Sequence, residues 1–236
     1  MKIVDLHCDT ISAIYEKDEA LSNNSGHFDI KRAIQAGIGI QFFALFTMPS
    51  DRNTTLREIL KQIDKFYAEL EKNEEQLYQV KQYSNIASNW DNNKIGCLLH
   101  LEGGEALGND LEILRVLYRL GLRSLGLTWN NRNMLADGVG EGEKAGGLSL
   151  LGRKVIKEIS NMGMVLDLSH ISPKAFFESL EYYDKPVMVT HANASKLCNH
   201  RRNLTDEQLR ALAENGGLIG INQVSDFVKE TGSSAE

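Results

Sequence analysis

Two short apolar runs, each ending at a histidine and separated by about one helix, constrain this chain more than anything else in it. Met164-Val-Leu-Asp-Leu-Ser-His170 is followed, after an intervening segment, by Pro186-Val-Met-Val-Thr-His191-Ala. The segment between them, Ser172 to Tyr183, reads as a helix. Ser172 suits a cap, Pro173 suits a first turn, and Ala175, Phe176, Leu180 and Tyr183 recur at helical spacing. Strand, helix and strand within about thirty residues make a βαβ unit, whose strands must be parallel. His170 and His191 then leave the same end of one sheet, side by side. In parallel α/β sheets that C-terminal edge is where ligands bind. Neutral imidazoles are common metal ligands, so the pair suits a divalent ion. The plainer reading is that each ring only hydrogen-bonds within its own loop.

The remaining chain repeats the same alternation. Ile3 to Thr10 reads as a strand on which His7 and Asp9, two apart, share a face and Cys8 points to the other. An imidazole and a carboxylate on one face can hold a divalent metal. A short helical turn from Phe28 precedes a buried second strand, Gly37 to Phe46, and His27 before it reads as structural or exposed. Asp51 to Tyr78 reads as one long amphipathic helix with a solvated charged face. Lys94 to Gly104 is the third strand. Glu102 near its end shares a face with His100, which makes His100 a rival ligand; Glu102 is preferred because it lies closer to the C-terminal rim. A helix over Asp110 to Leu120 leads to a fourth strand, Leu122 to Trp129.

The polar, glycine-rich stretch from Asn130 to Gly147 has the composition of an active-site loop. A helix follows over Leu148 to Asn161, with Ser149 near its start and Gly163 at its end. Beyond His191, Arg201-Arg202-Asn203 puts a cation near the ligand strand, where it could hold a substrate carboxylate. Thr205 and Gln208 fit a capping box for a helix to Glu214, and Gly216 to Val224 reads as a seventh strand. Strands alternating with helices in this way predict a (β/α)8 TIM barrel of metallo-hydrolase type, a single domain over residues 1–236. The strand count stops one short, as if truncated before the eighth strand.

Composition narrows the partners. A formal net charge of −6, with no Lys/Arg block, argues against nucleic acid. Cys8, Cys97 and Cys198 are widely spaced and odd in number, a reduced pattern and not a disulfide framework. No signal-like segment opens the chain and no run is long enough to span a membrane, so the expectation is a soluble, cytoplasmic protein.

His7, Asp9, Glu102, His170 and His191 all fall at strand ends that a barrel would gather at one mouth. With them, the chain resembles the renal (membrane) dipeptidase family of zinc metallopeptidases. The resemblance runs through Asp5-Leu-His-Cys-Asp-Thr10, Gln41-Phe-Phe, Leu101-Glu-Gly-Gly104, Leu122-Arg-Ser-Leu-Gly-Leu-Thr128, Asp167-Leu-Ser-His170, Thr190-His191 and Arg201-Arg-Asn203, in the family's order. It implies a site of two zinc ions, with His7 and Asp9 on one, His170 and His191 on the other, and Glu102 bridging them. It further implies hydrolysis of dipeptides by a metal-bridging hydroxide, with Arg202 engaging the substrate. Trp129 stands where some members carry a substrate-contacting histidine, and is expected to line the pocket instead.

The family's eighth strand carries a pocket aspartate that this sequence, ending Val228-Lys-Glu-Thr-Gly-Ser-Ser-Ala-Glu236, does not reach; Asp226 is not its substitute. The chain is therefore expected to be a fragment, weakly active alone, with a homodimer left open. Two alternatives stand beside the dipeptidase. One is another barrel amidohydrolase, for which the fourth strand lacks a metal-bridging lysine. The other is a non-catalytic metal- or dipeptide-binding remnant.

Overall fold

The computed structural model describes residues 2–48 and 51–229, with the backbone alone at residue 52. The chain forms two compact units, residues 1–124 and 125–236. The first contains β1 (Ile3–Cys8), α1 (Thr10–Glu16), α2 (Ile30–Ala36), β2 (Ile38–Leu45), α3 (Arg52–Lys72), β3 (Leu77–Gln79), α4 (Tyr83–Asn89), β4 (Ile95–Glu102) and α5 (Leu111–Arg119), and the boundary falls within β5 (Leu122–Gly126). Here β1 pairs with β2 and β2 with β4, all parallel, and β3 also pairs with β4. Nearly every residue of β2 and β4 is buried. Strands covered on both faces need such continuous apolar runs in place of alternation. Phe43, fully buried on β2, meets Phe28 and Phe66 edge to face at centroid distances of 5.3 and 5.9 Å. Phe66 belongs to the apolar stripe of α3, with Ile59 and Ile63, and each such side chain contributes roughly 1.5–3 kcal/mol on burial.

Two expectations fail locally in this unit. The long helix ends at Lys72, not Tyr78. Asn73 terminates it, its side-chain amide donating to the Glu69 carbonyl at 2.8 Å, and Leu77-Tyr-Gln79 then joins β4 as a strand. Three residues are too few for a strand period to be read against a helical stripe. The first strand likewise stops at Cys8. Asp9 sits at φ −89°, ψ 18° and opens α1, which buries Ile11 and Ile14. The alternation that put His7 and Asp9 on one strand face does not apply to Asp9.

The second unit contains α6 (Leu150–Met162), β6 (Val165–Asp167), α7 (Pro173–Tyr182), β7 (Met188–Ala192), α8 (Asp206–Glu214), β8 (Leu218–Ile221) and the short α9 (Ser225–Val228). Its helix ends follow the sequence closely. Ser149, Ser172 and Thr205 accept from the backbone amides of Gly152, Ala175 and Gln208 respectively, and Thr205 and Gln208 complete a capping box. Gly163 closes α6 at φ 68°, a left-handed conformation natural to glycine. β6 and β7 are parallel, with Asp167 opposite Met188, and β8 lies parallel to β7. The βαβ unit is therefore present, but β6 ends three residues before His170. The Asp167 carboxylate folds back to accept from the Ser169 amide at 3.0 Å, and His170 adopts φ 65°. The final nine residues, on which the fragment expectation partly rested, extend beyond the described residues after 229. Among the described residues no helix is long and apolar enough to cross a membrane.

Candidate metal centre

In the second unit His170 and His191 point at each other, with their Nε2 atoms 2.8 Å apart. The far side of each ring decides what those atoms can do. His170 Nδ1 lies 2.9 Å from the side-chain oxygen of Asn130, which can only accept, so Nδ1 carries the proton. His191 Nδ1 lies 2.9 Å from the Thr190 hydroxyl, and that hydroxyl donates its one proton to Asp167 Oδ2 at 2.7 Å. The hydroxyl therefore accepts from His191, and again Nδ1 holds the proton. The two Nε2 atoms are thereby turned toward one point, 2.8 Å apart. Imidazoles whose other nitrogen is fixed by an oxygen are the usual form of a metal-binding histidine. This donor set fits a divalent ion.

His170 is also held through its backbone. A non-glycine residue at φ 65° costs on the order of 1–3 kcal/mol and persists only where its surroundings impose it. The loop foreseen over 130–147 imposes it: the Val139 amide donates to the His170 carbonyl at 2.8 Å, and the Gly140 amide to the Asn130 carbonyl at 2.6 Å. Gly138 packs so tightly that a Cβ there would meet the carbonyl oxygens of Trp129 and Asn130 at 2.3 and 2.4 Å. The loop is tied to itself by Arg132, whose Nε and Nη2 donate to the two oxygens of Asp137. That hydrogen bond, with the amide of Gly146 adding to it, holds the Asp137 carboxyl below the usual carboxylate range. Glycine and charge in this stretch serve the histidine's geometry, which its composition alone did not specify.

A cavity of about 400 Å³ opens beside His170 within the same unit. His170 and Arg202 line it together with apolar Leu168, Val189 and Leu204. Arg202, 5% exposed, donates to the His191 carbonyl at 3.2 Å, and its guanidinium lies 5.7 Å from the Phe227 ring centre. His200, which the sequence reading passed over, stacks on the same ring at 4.4 Å and accepts from the Arg202 amide. Burial, aided by Arg201 and Arg202, pushes its pKa down. Trp129 lies 6.0 Å from His170 between ring centres.

In the first unit, His7 Nε2 lies 3.6 Å from Asp9 and 3.7 Å from Glu102. Glu102, the last residue of β4, is buried, whereas the Asp9 side chain is 56% exposed. His100, the rival, is wholly buried with its Nδ1 2.9 Å from the Ser124 hydroxyl. Burial pushes the Cys8 thiol up to about 12. The residues that sequence reasoning missed are those behind the two histidines: Asn130, Thr190, Asp167 and Ser169. The only signal for them was a run of polar letters beside each histidine.

Comparison with known proteins bears on this chemistry. A family model described as membrane dipeptidase, peptidase family M19, matches residues 1–235. An uncharacterized protein of Acinetobacter calcoaceticus is 32% identical, over 88% of this chain and 73% of its own length. A dipeptidase of Claviceps purpurea is 30% identical, over 84% of this chain but 49% of its own length. Among solved structures, a dipeptidase described as an M19 metallopeptidase superposes with a TM-score of 0.89 at 28% identity, covering 100% of this chain and 76% of that one. A Rhodobacter sphaeroides metallopeptidase, solved with a phosphinate mimic of the dipeptide L-Ala-D-Ala, gives a TM-score of 0.91 at 24% identity over 98% and 76% of the two chains. The likenesses establish the fold class expected from the sequence, the α/β barrel of the metallo-hydrolase type.

Proposed function

We propose that this chain, which belongs to the membrane dipeptidase family of peptide-bond hydrolases, cleaves dipeptides with two zinc ions as its cofactor. The observation that carries the proposal is the pair of opposed imidazoles, each with Nδ1 held by an oxygen and Nε2 turned toward the other ring. His170 and His191 would hold one ion, His7 and Asp9 the other, and Glu102 would bridge. When bound, such ions polarise a carbonyl oxygen and make water a nucleophile near neutral pH.

The chain's own residues then divide the remaining work. Arg202 offers a planar, two-pronged donor set that matches a terminal carboxylate, and its burial strengthens that attraction. It would fix the substrate's C-terminal end, so that only the bond one residue away is presented for cleavage. The apolar wall of Leu168, Val189 and Leu204 would take a side chain and exclude water, and Trp129, outside that lining, would add an aromatic surface beside His170. A volume of about 400 Å³ falls within the roughly 300–1,000 Å³ usual for small-molecule sites and suits a short substrate.

The test is incubation of the zinc-loaded protein with a panel of free dipeptides beside the same dipeptides amidated at the C-terminus. Hydrolysis of the free series, with the amidated series cleaved poorly, is the expected result. Equal cleavage of both would remove Arg202 from its role. Cleavage of neither would remove the dipeptidase reading.

A further inference from the structure

The Asp167 carboxylate is 1% exposed and accepts four hydrogen bonds, three of them at Oδ1: from the Ser169 amide at 3.0 Å, the Ser169 hydroxyl at 2.8 Å and the Thr190 amide at 2.9 Å. The fourth, at Oδ2, comes from the Thr190 hydroxyl at 2.7 Å. Ser169, its proton committed to Asp167, accepts from the His191 amide at 3.2 Å. Thr190, its proton likewise committed, accepts from His191 Nδ1 at 2.9 Å. One carboxylate thus orients two hydroxyls, and the two hydroxyls grip the backbone and the ring of the same histidine.

We propose that Asp167 is a positioning residue that sets, through the Thr190 hydroxyl, which ring nitrogen of His191 holds the proton and so which one can serve as a ligand atom. The inference rests on the reading of His191 as a metal ligand given above. A hydroxyl has one proton to give. While an acceptor-only group takes it, the oxygen's lone pairs face the imidazole and Nδ1 must be the protonated nitrogen. Reverse the polarity at residue 167 and the relay reverses with it.

Asp167→Asn makes that reversal. Three donors converge on Oδ1, so the amide oxygen of the new side chain stays there and its NH2 group faces Thr190. The hydroxyl then accepts from the amide and turns its own proton toward His191 Nδ1. Nδ1 becomes the acceptor, the ring proton moves to Nε2, and the ligand atom is blocked. A carboxylate that merely caps the turn after β6 would produce no such change, since Asn accepts the Ser169 amide equally well.

The experiment is nitrogen-15 NMR of the imidazoles in the metal-free chain, paired with zinc titration of the same samples. In the unsubstituted protein His191 is expected as the Nδ1–H tautomer. In Asp167→Asn it is expected as Nε2–H, with zinc affinity roughly 10- to 100-fold weaker, the range typical of lost outer partners of metal ligands. Thr190→Ser should preserve the tautomer and the affinity, and Thr190→Val should lose both. A folded Asp167→Asn protein that keeps Nδ1–H overturns the proposal. Should that variant fail to fold, equal tautomers in Thr190→Ser and Thr190→Val overturn it instead. A tautomer switch in a chain that binds no zinc even unsubstituted would leave the relay standing and defeat the metal reading.

Discussion

The two groups of candidate ligands solve the problem of gathering donors in opposite ways. In the second unit the donors are two neutral nitrogens, His170 and His191, forced together at 2.8 Å with their protons drawn off to Asn130 and Thr190. In the first unit the donors are one imidazole and two carboxylates, with His7 Nε2 at 3.6 and 3.7 Å from Asp9 and Glu102. The carboxylates of the first unit bring negative charge of their own, which draws in a divalent cation without a hydrogen-bond relay behind it. The first group gathers donors by charge, while the second is preorganised by hydrogen bonds from Asn130 and Thr190, which are not themselves candidate ligands. That contrast makes the histidine pair the more demanding structure and the more fragile one.

The contrast can be broken most severely at the pair itself. His170→Ala is expected to remove one of two bound ions and most activity. A metal supplies several kcal/mol of transition-state stabilisation, so turnover should fall by roughly 10³-fold or more. Metal analysis of the purified variant beside its turnover checks this, and two ions still bound would reassign His170 to its loop. Replacing the substrate anchor separates binding from metal chemistry. Arg202→Lys should raise KM for dipeptides about 10-fold, the loss of one charge-assisted hydrogen bond of roughly 1.5 kcal/mol, with metal content unchanged. Unaltered kinetics would place Arg202 outside the substrate site.

Smaller effects probe the support behind the pair. In Gly138→Ala the added carbon would overlap two carbonyl oxygens, so the Asn130 backbone must move away. Overpacking of this kind costs roughly 1–3 kcal/mol, and a thermal melt should show it. Zinc affinity at the histidine pair should weaken too, because Asn130 holds His170 Nδ1. Least of all is the acid sensitivity of the loop. Arg132 holds the Asp137 carboxyl below its ordinary range, so the loop gains stability that is fully present above roughly pH 4 and lost as pH falls through the lowered value. Hydrogen exchange of the 130–147 amides should rise on that descent, and Asp137→Asn should abolish the pH dependence.

The same contrast explains what the sequence made legible. His170 and His191 stood out because strand, helix and strand leave one pattern, and parallel strands then bring their ends together. The caps Ser149, Ser172 and Thr205 were readable because a cap acts within three residues of itself. Asn130 was not, since nothing in a glycine-rich loop says which of its amides will meet a histidine forty positions later. Asp167 and Thr190 were visible as letters in the motifs, but their roles depend on which way a hydroxyl proton points. The shared strand face expected for His7 and Asp9 does not form: Asp9 lies 3.6 Å from His7 at the start of α1, after the strand has ended. β3 escaped because three residues carry no period.

The central claim is that the two groups of ligands together bind two ions, and a zinc titration of metal-free protein followed by isothermal calorimetry tests it most directly. Two equivalents per chain are expected, falling to one in a variant carrying His170→Ala and His191→Ala. A chain that takes up no zinc, or whose stoichiometry is the same with and without the histidine pair, would contradict it.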